Sequence, residues 1–414
     1  MSEPVYGLIG STLRHSWSVP IHKELGNTDY QLFEIADGVL DQFFSQHTVA
    51  GLNVTIPFKR SVIPFCSSLD ESASEIGSVN TLIPDGNGGL IGYNTDAYGL
   101  SYMAKRAGAS FKDAKVIILG TGGTSRTATY VARKEGAAQI VTISRTEHPT
   151  YDSLSEYSDF DILINTTPVG MYPDTGISPV DLTVFSSLNC VLDVIYNPAR
   201  TKLLMQAEKL AIPCSGGLPM LVAQACESER LFTGKTTPAA EIENLISMIR
   251  AKTENIVIIG MPGCGKTTVG NLLGKLSERP VIDIDTEIEK DAGISIPDIF
   301  SESGESGFRK LETRQLAKYG KESGIILVTG GGSVTREENY DLLHQNGILY
   351  QLDRELSLLA KDGRPISLSM DLGDLFNIRK PMYDSFRDCL IDNNRTPQEA
   401  AEDIWKHFLE HCND

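Results

Sequence analysis

The chain has 414 residues, room for about two to three domains, and its 41% hydrophobic and 22% charged residues are an ordinary balance for folded cores. A net charge of −17 argues against nucleic acid as a partner, although local Lys and Arg clusters can still hold anionic small molecules. No apolar run is long enough to cross a bilayer, the stretch MSEPVYGLIGSTLRHS lacks a signal-peptide pattern, and the seven cysteines include no C-x-x-C. These features predict a cytoplasmic chain with reduced thiols, no membrane partner and no zinc site, and they fix no oligomeric state.

Residues 5 to 110 alternate short β-rich runs (VYGLIG, GLNVTIPF, NTLI) with helix-like stretches. Between 116 and 200 the order is strand, Gly loop, helix, strand (KVIILG, TGGTS, RTATYVARKEGA, QIVTISRT), followed by DILINTTP and VLDVIYNP. That alternation predicts a parallel sheet with helices on its faces. From 218 to 250 the periodicity is helical and no strand is expected. The polar stretch around TGKTTPAAEIENLISMIRAKTEN is the natural seam, with a boundary near 252. From 255 to 414 a second strand, loop and helix alternation follows through VIDID, GIILVTGGG and GILYQLD.

IIGMPGCGKTTVG, from 258 to 270, reads as a loop that holds nucleotide phosphates. Glycines let backbone N–H groups converge on phosphate oxygens, and the helix that follows adds its dipole. Gly263, Cys264, Gly265, Lys266, Thr267 and Thr268 form the expected ATP loop, in which Lys266 neutralises phosphate and Thr267 ligates Mg²⁺. Asp283 and Asp285 stand two apart at the end of a β-run, so both are expected to point the same way, one serving Mg²⁺ and the other accepting a hydroxyl proton. Arg309 in GFRKLE has Glu312 one turn on to orient it. VTGGGSV is a second Gly loop, and Arg364 (DGRPIS) and Arg379 (IRKPMY) are of the type that grips a carboxylate. The stretch 358 to 378 is expected to form a mobile lid that excludes water.

In the first half, ILGTGGTS places Gly120, Gly122 and Gly123 after a strand, with Ser125 at the third fingerprint position. An NAD site wants an acidic residue at the end of the next strand, whereas here Ser144, Arg145 and Thr146 stand there and favour the 2′-phosphate of NADP(H). Before residue 110, Ser16 and Ser18 can face one ligand, and Lys59, Asn80 and Asp96 are candidate site residues. A Lys–Asp pair suits reduction of a carbonyl: the ammonium protonates the nascent alkoxide and the carboxylate holds the lysine.

These motifs carry two resemblances. Residues 255 to about 410 resemble shikimate kinase, with D-x-D, F-R-x-x-E, T-G-G-G, R-P and R-x-P-x-Y in family order. The resemblance implies that Asp285 binds shikimate hydroxyls and acts as base, that Asp283 supports Mg²⁺ from behind its direct ligands, that Arg309, Gly331 and Arg379 bind shikimate, and that Arg364 closes over the transferring phosphate. The family's extra arginine before the lid has no counterpart, and Arg395 and Pro397 are what remains for adenine.

Residues 5 to about 245 resemble shikimate dehydrogenase. That implies shikimate binding by Ser16, Ser18, Thr55, Asn80, Asp96, Tyr196 and Gln224, with Lys59 and Asp96 as the catalytic pair. It also implies NADP binding by Gly120, Thr121, Gly122, Gly123, Thr124, Ser144, Arg145, Thr146, Val194 and Gly217. Two positions depart from the family: Val19 precedes Pro20, and Ser144 stands where asparagine is usual. The expected organisation is α/β throughout: a substrate domain (1–100), an NADP-binding Rossmann domain (101–220), a helical return and linker (221–252), and a P-loop kinase domain with a parallel sheet (253–414). The implied activities are consecutive: NADPH-dependent reduction of 3-dehydroshikimate, then ATP-dependent phosphorylation of the shikimate 3-hydroxyl. A non-catalytic sensor would have no need for Lys59, Asp96, Lys266 and Asp285, and an NAD-dependent quinate enzyme would want an acidic residue near Ser144.

Overall fold

The computed structural model describes residues 4–13, 16–359 and 371–413. The chain divides into two compact units: Met1–Val169, Ser178–Tyr196 and Gln206–Ile246 form the first, and Gly170–Ile177, Asn197–Met205 and Ser247–Asp414 the second. The division falls inside the helix Ala239–Thr253.

The first unit has two sheets. One contains β1 (Val5–Gly10), β2 (Tyr30–Glu34), β3 (Val49–Val54), β4 (Ser68–Leu69), β5 (Thr81–Pro84) and β6 (Leu90–Tyr93), in the order β2-β1-β3-β5-β6-β4. Its centre is parallel, with Leu8 opposite Leu32 and Ile9 opposite Val54, and β5 runs antiparallel to both β3 and β6. The other contains β7 (Lys115–Leu119), β8 (Gln139–Ile143), β9 (Ile162–Asn165), β10 (Cys190–Asp193) and β11 (Cys214–Ser215), all parallel, in the order β11-β10-β9-β7-β8. KVIIL in β7 is an unbroken apolar run, as expected of a parallel strand covered on both faces, and Val116 to Leu119 are fully buried.

Two helices of this unit place much of the site. Asp96–Arg106 crosses Leu218–Thr233 at Gly99, where a Cβ would lie 2.5 Å from the Met220 carbonyl oxygen. Only glycine permits that approach, and it brings the N-terminus of the first helix beside Gln224 and Ser228 of the second. As the periodicity predicts, 218 to 250 holds two helices and no strand among the described residues.

The second unit is one parallel sheet of β12 (Asn255–Gly260), β13 (Val281–Asp283), β14 (Ile326–Val328), β15 (Gly347–Asp353) and β16 (Cys389–Asp392), ordered β13-β14-β12-β15-β16. β12 is buried along its length. In both parallel sheets the strand order reverses beside the strand that feeds the glycine-rich loop, β7 or β12. Its carboxyl end therefore opens at that reversal, the usual place for a ligand crevice in such sheets.

Candidate functional site

The first unit builds its reactive pair from turns and a helix start. Lys59 does not end a strand: β3 stops at Val54 and residues 56–62 form turns, because Pro57 cannot donate to a ladder. The turn is pinned where the Lys59 carbonyl accepts the Val79 N–H at 2.8 Å. Lys59 Nζ then stands 2.6 Å from Asp96 Oδ2. Asp96 opens its helix, where the dipole favours a carboxylate, and its Oδ1 accepts from Asn80 Nδ2 at 2.9 Å. Each carboxylate oxygen thus has its own donor, which fixes the lysine.

Behind this pair lies a polar network that the sequence did not reveal. Asn80 Nδ2 also meets Thr95 Oγ1 at 3.0 Å, and Thr95 Oγ1 meets Ser228 Oγ at 3.0 Å. Ser228 Oγ donates to the Gln224 carbonyl at 2.9 Å and accepts from Asn53 Nδ2 at 2.8 Å. Asn53 Oδ1 accepts the Tyr30 hydroxyl at 2.7 Å, which settles the orientation of its amide. Tyr30 also hydrogen-bonds Ser18, whose Oγ accepts from Ser16 Oγ at 3.1 Å. Burial drives the Tyr30 hydroxyl well above the usual tyrosine range, so it stays protonated. Lys59, Asp96, Asn80 and Gln224 are therefore linked directly or through Thr95, and Ser16 and Ser18 through Tyr30. Thr55 is held by its N–H on the Ile9 carbonyl at 3.0 Å, and Tyr196 is 41% exposed, outside the network.

The glycine loop after β7 turns at Gly120, whose φ is 101° and where a Cβ would lie 2.9 Å from Thr167 Cγ2. Gly122 caps the helix Gly123–Lys134, and a Cβ on Gly122 or Gly123 would meet nothing within 4 Å. Thr121 is exposed and Thr124 half-buried, so the loop presents open backbone N–H groups at a helix N-terminus, the chemistry a pyrophosphate needs. Ser144 is buried and its Oγ already accepts from the Thr146 and Glu147 N–H groups at 3.2 and 3.1 Å. Its hydroxyl shapes the turn, while Arg145 and Thr146 are exposed. Gly217 is required by contact: its Cβ would fall 2.1 Å from the Val194 carbonyl oxygen. The buried pair Asn165 and Asp193, bonded at 3.0 Å, braces the ends of β9 and β10, and it too was unread in the sequence.

In the second unit a cavity of about 510 Å³ opens at the carboxyl end of β12. Gly263 and Gly265 have φ of 84° and 96°, conformations only glycine takes without strain. Lys266 is nearly buried and donates to the Gly260 and Met261 carbonyls at 3.0 and 3.1 Å. Gly263, Gly265, Thr267 and Thr268 line the cavity, whereas Cys264 is fully buried and does not line it.

The expectation that Asp283 and Asp285 share a strand face is corrected. β13 ends at Asp283, which caps the helix Ile284–Ala292, and Asp285 lies in its first turn. The cap, not strand alternation, brings the two together: Asp283 Oδ1 accepts the Asp285 N–H at 3.1 Å, and its Oδ2 accepts from Thr267 Oγ1 at 2.8 Å. Asp285 lines the cavity with a buried Oδ1 that lacks a hydrogen-bond partner. Burial, and then the Glu312 carboxylate, raises its carboxyl to about 6.

Arg309 lies just past Gly304, where non-helical φ and ψ break the helix Ile296–Tyr319. As the sequence predicts, Glu312 orients it, Nη1 to Oε2 at 2.7 Å. The triple glycine is explained by close approach. A Cβ on Gly330 would strike Glu312 Oε1 at 2.4 Å, on Gly331 the Pro262 ring at 2.7 Å, and on Gly332 Arg309 Nη2 at 2.0 Å. The Gly331 carbonyl accepts from Arg379 Nη1 at 3.0 Å and from the Tyr383 hydroxyl. Arg364 lies outside the described residues, as do residues 360–370 of the expected lid; residues 372–378 belong to the helix Leu372–Phe386.

Comparison with known proteins agrees with this geometry. Residues 262–410 match the family model for shikimate kinase, and residues 8–82 the model for the shikimate dehydrogenase substrate binding domain. The chain is 35% identical over 258 residues to the NADP(+) shikimate dehydrogenase of Caldanaerobacter subterraneus subsp. tengcongensis, covering 56% of this chain and 92% of that one. It is 35% identical over 255 residues to the Methanococcus maripaludis NADP(+) shikimate dehydrogenase, covering 55% and 91%. Among solved structures, a chorismate mutase/shikimate 5-dehydrogenase fusion from Clostridium acetobutylicum matches with a TM-score of 0.57 and 32% identity, over 61% of this chain and 99% of that one. The shikimate 5-dehydrogenase of Thermus thermophilus, in complex with NADP(H) and shikimate, matches with a TM-score of 0.53 and 26% identity, over 58% and 98%. The chain belongs to the shikimate dehydrogenase family, and a shikimate kinase domain follows in the same chain.

Proposed function

We propose that this chain carries out two consecutive steps on one molecule: reduction of 3-dehydroshikimate to shikimate, then phosphorylation of the 3-hydroxyl just made, on the route to chorismate and the aromatic amino acids. The observation that supports it is a built proton-transfer group in each unit: Lys59 held 2.6 Å from Asp96, and Asp285 buried beside the phosphate loop with its carboxyl raised to about 6. NADPH supplies the hydride of the first step, and MgATP the phosphoryl group of the second. Lys59 gives its proton to the oxygen of the ketone as that carbon gains the hydride. Asp96 and Asn80 hold the ammonium in line, and Ser16, Ser18, Thr55, Tyr196 and Gln224 bind the ring. In the second step Asp285 accepts the proton of the attacking 3-hydroxyl, and Arg309, Gly331 and Arg379 bind the substrate. Lys266 stabilises the transferring charge.

Among the described residues no group of three His, Cys, Asp or Glu can hold a metal alone. Thr267, with Asp283 behind it at 2.8 Å, would hold a magnesium ion, which would supply positive charge against the nucleotide phosphates. Residues 1–100 serve as substrate domain, 101–220 as NADP domain, 221–252 as helical return and 253–414 as kinase. The free cysteines suit a reducing cytoplasm, and no described helix is long and apolar enough to cross a membrane.

Paired knockouts test this reading. Lys59→Ala is expected to lower dehydrogenase kcat by roughly 10²- to 10⁴-fold and leave the kinase within about twofold. Lys266→Met is expected to do the reverse. Loss of both activities from either substitution, with the fold retained by circular dichroism, contradicts it.

A further inference from the structure

Among the described residues, four cations line the cavity of the second unit: Lys266, Arg309, Arg354 and Arg379. Three are engaged. Lys266 donates to two loop carbonyls, Arg309 pairs with Glu305 and Glu312, and Arg379 donates to the Gly331 carbonyl. Arg354 is different. It follows the last residue of β15, is half-buried, and makes no ion pair or hydrogen bond among the described residues; its Nε is buried without a partner. In a chain with 54 acidic and 37 basic residues, an arginine kept clear of every described carboxylate is placed for an anion that arrives from outside.

The position is built rather than incidental. Arg354 Nη1 lies 3.5 Å from the point where a Cβ on Gly265 would sit, against the phosphate loop itself. The fully buried Asn393 fills the neighbouring space, with its Nδ2 donating to the Cys264 carbonyl at 2.6 Å. The Asn393 N–H in turn donates to the Asp353 carbonyl at 2.8 Å, so the backbone that carries Arg354 is tied through one side chain to the loop it faces. Neither Arg354 nor Asn393 has a motif in the sequence that marks it.

We propose that Arg354 is a nucleotide-binding residue of the kinase unit, its guanidinium contacting the phosphate chain of ATP at the Gly263–Gly265 arm of the loop, with Asn393 as the positioning residue that fixes the arm against it. The inference rests on the kinase reading of this unit. Phosphate is favoured over the base because the guanidinium faces loop backbone, where phosphate oxygens converge, and because its planar N–H groups match two oxygens at once.

The test uses the full chain. Initial kinase rates at saturating shikimate are measured against MgATP for wild type, Arg354→Lys, Arg354→Gln and Arg354→Ala, together with MgADP binding by calorimetry. Arg354→Ala and Arg354→Gln are expected to raise KM for ATP and weaken MgADP roughly 10- to 100-fold. Arg354→Lys recovers much of the loss, while KM for shikimate and the dehydrogenase rate stay within about twofold. Unchanged ATP and MgADP parameters in Arg354→Ala overturn the proposal. Equal behaviour of Lys and Gln variants also overturns it, since charge would then play no part. A wild-type chain that binds MgADP without turning over shikimate contradicts the kinase reading instead, and Arg354 is then judged on MgADP binding alone.

Discussion

Asp285 shows how one residue trades stability for chemistry. Its carboxyl is raised from the usual 3.8 to about 6, first by burial and then by Glu312. A base must be ionised, so kcat/KM for shikimate phosphorylation is expected to fall about tenfold per pH unit below roughly 6. Stability has the opposite sign. A carboxyl raised on folding contributes most below its unfolded value, and that contribution is lost as pH rises through about 6. Asp285→Asn is therefore expected to lower kinase turnover roughly 10²- to 10⁴-fold. The same substitution should stabilise the second unit at pH 7 to 8 by about 1 to 3 kcal/mol, read by thermal unfolding. An acid limb near pH 4, as for a solvated carboxylate, contradicts this account. Lys59, Asp96, Asp285 and Arg309 were legible because each belongs to a short local pattern. Asp285 was placed by the wrong argument, since a capping carboxylate at Asp283 ends the strand that alternation had extended.

At the scale of elements, close approach explains residues that local propensity does not. Gly332 is glycine because Arg309 occupies the space of its side chain. Gly332→Ala is expected to displace the guanidinium and raise KM for shikimate in the kinase reaction about tenfold or more, with KM for ATP unchanged; equal effects on both substrates contradict that. In the first unit the crossing at Gly99 allows Ser228 to join Asn53 to Thr95, and through it to Asn80 and Asp96. Ser228→Ala removes the hydroxyl that bridges Asn53 and Thr95, while Asn53 Nδ2 keeps Thr81 Oγ1 at 3.0 Å and Thr95 Oγ1 keeps Asn80 Nδ2 at 3.0 Å, and it is expected to destabilise the unit by about 0.5 to 1.5 kcal/mol. Dehydrogenase kcat should fall roughly 5- to 20-fold with the kinase unaffected; a stability loss with kcat unchanged would make the network structural only. No sequence pattern announces this network, because Ser228 stands 175 residues from Asn53 and 133 from Thr95. The glycine loops were readable because strand, loop and helix are consecutive.

At the scale of the whole chain, two parallel sheets each open a glycine loop where their strand order reverses, and each unit carries one of the proposed proton-transfer residues, Lys59 paired with Asp96 in the first and the buried Asp285 in the second. The alternation of strands and helices and the change of motif near 252 made this organisation readable; the mixed strand order of the first sheet was not, because β5 and β6 are too short to show direction by pattern. The central claim is that one chain uses one oxygen twice, first as a ketone to be reduced and then as a hydroxyl to be phosphorylated. The most direct measurement is a single incubation of the pure chain with 3-dehydroshikimate, NADPH and MgATP, with products identified by mass. The account predicts shikimate 3-phosphate, with NADPH oxidation and ATP consumption in equal amounts at completion. Accumulation of shikimate with ATP untouched, or no turnover of either nucleotide, would contradict it.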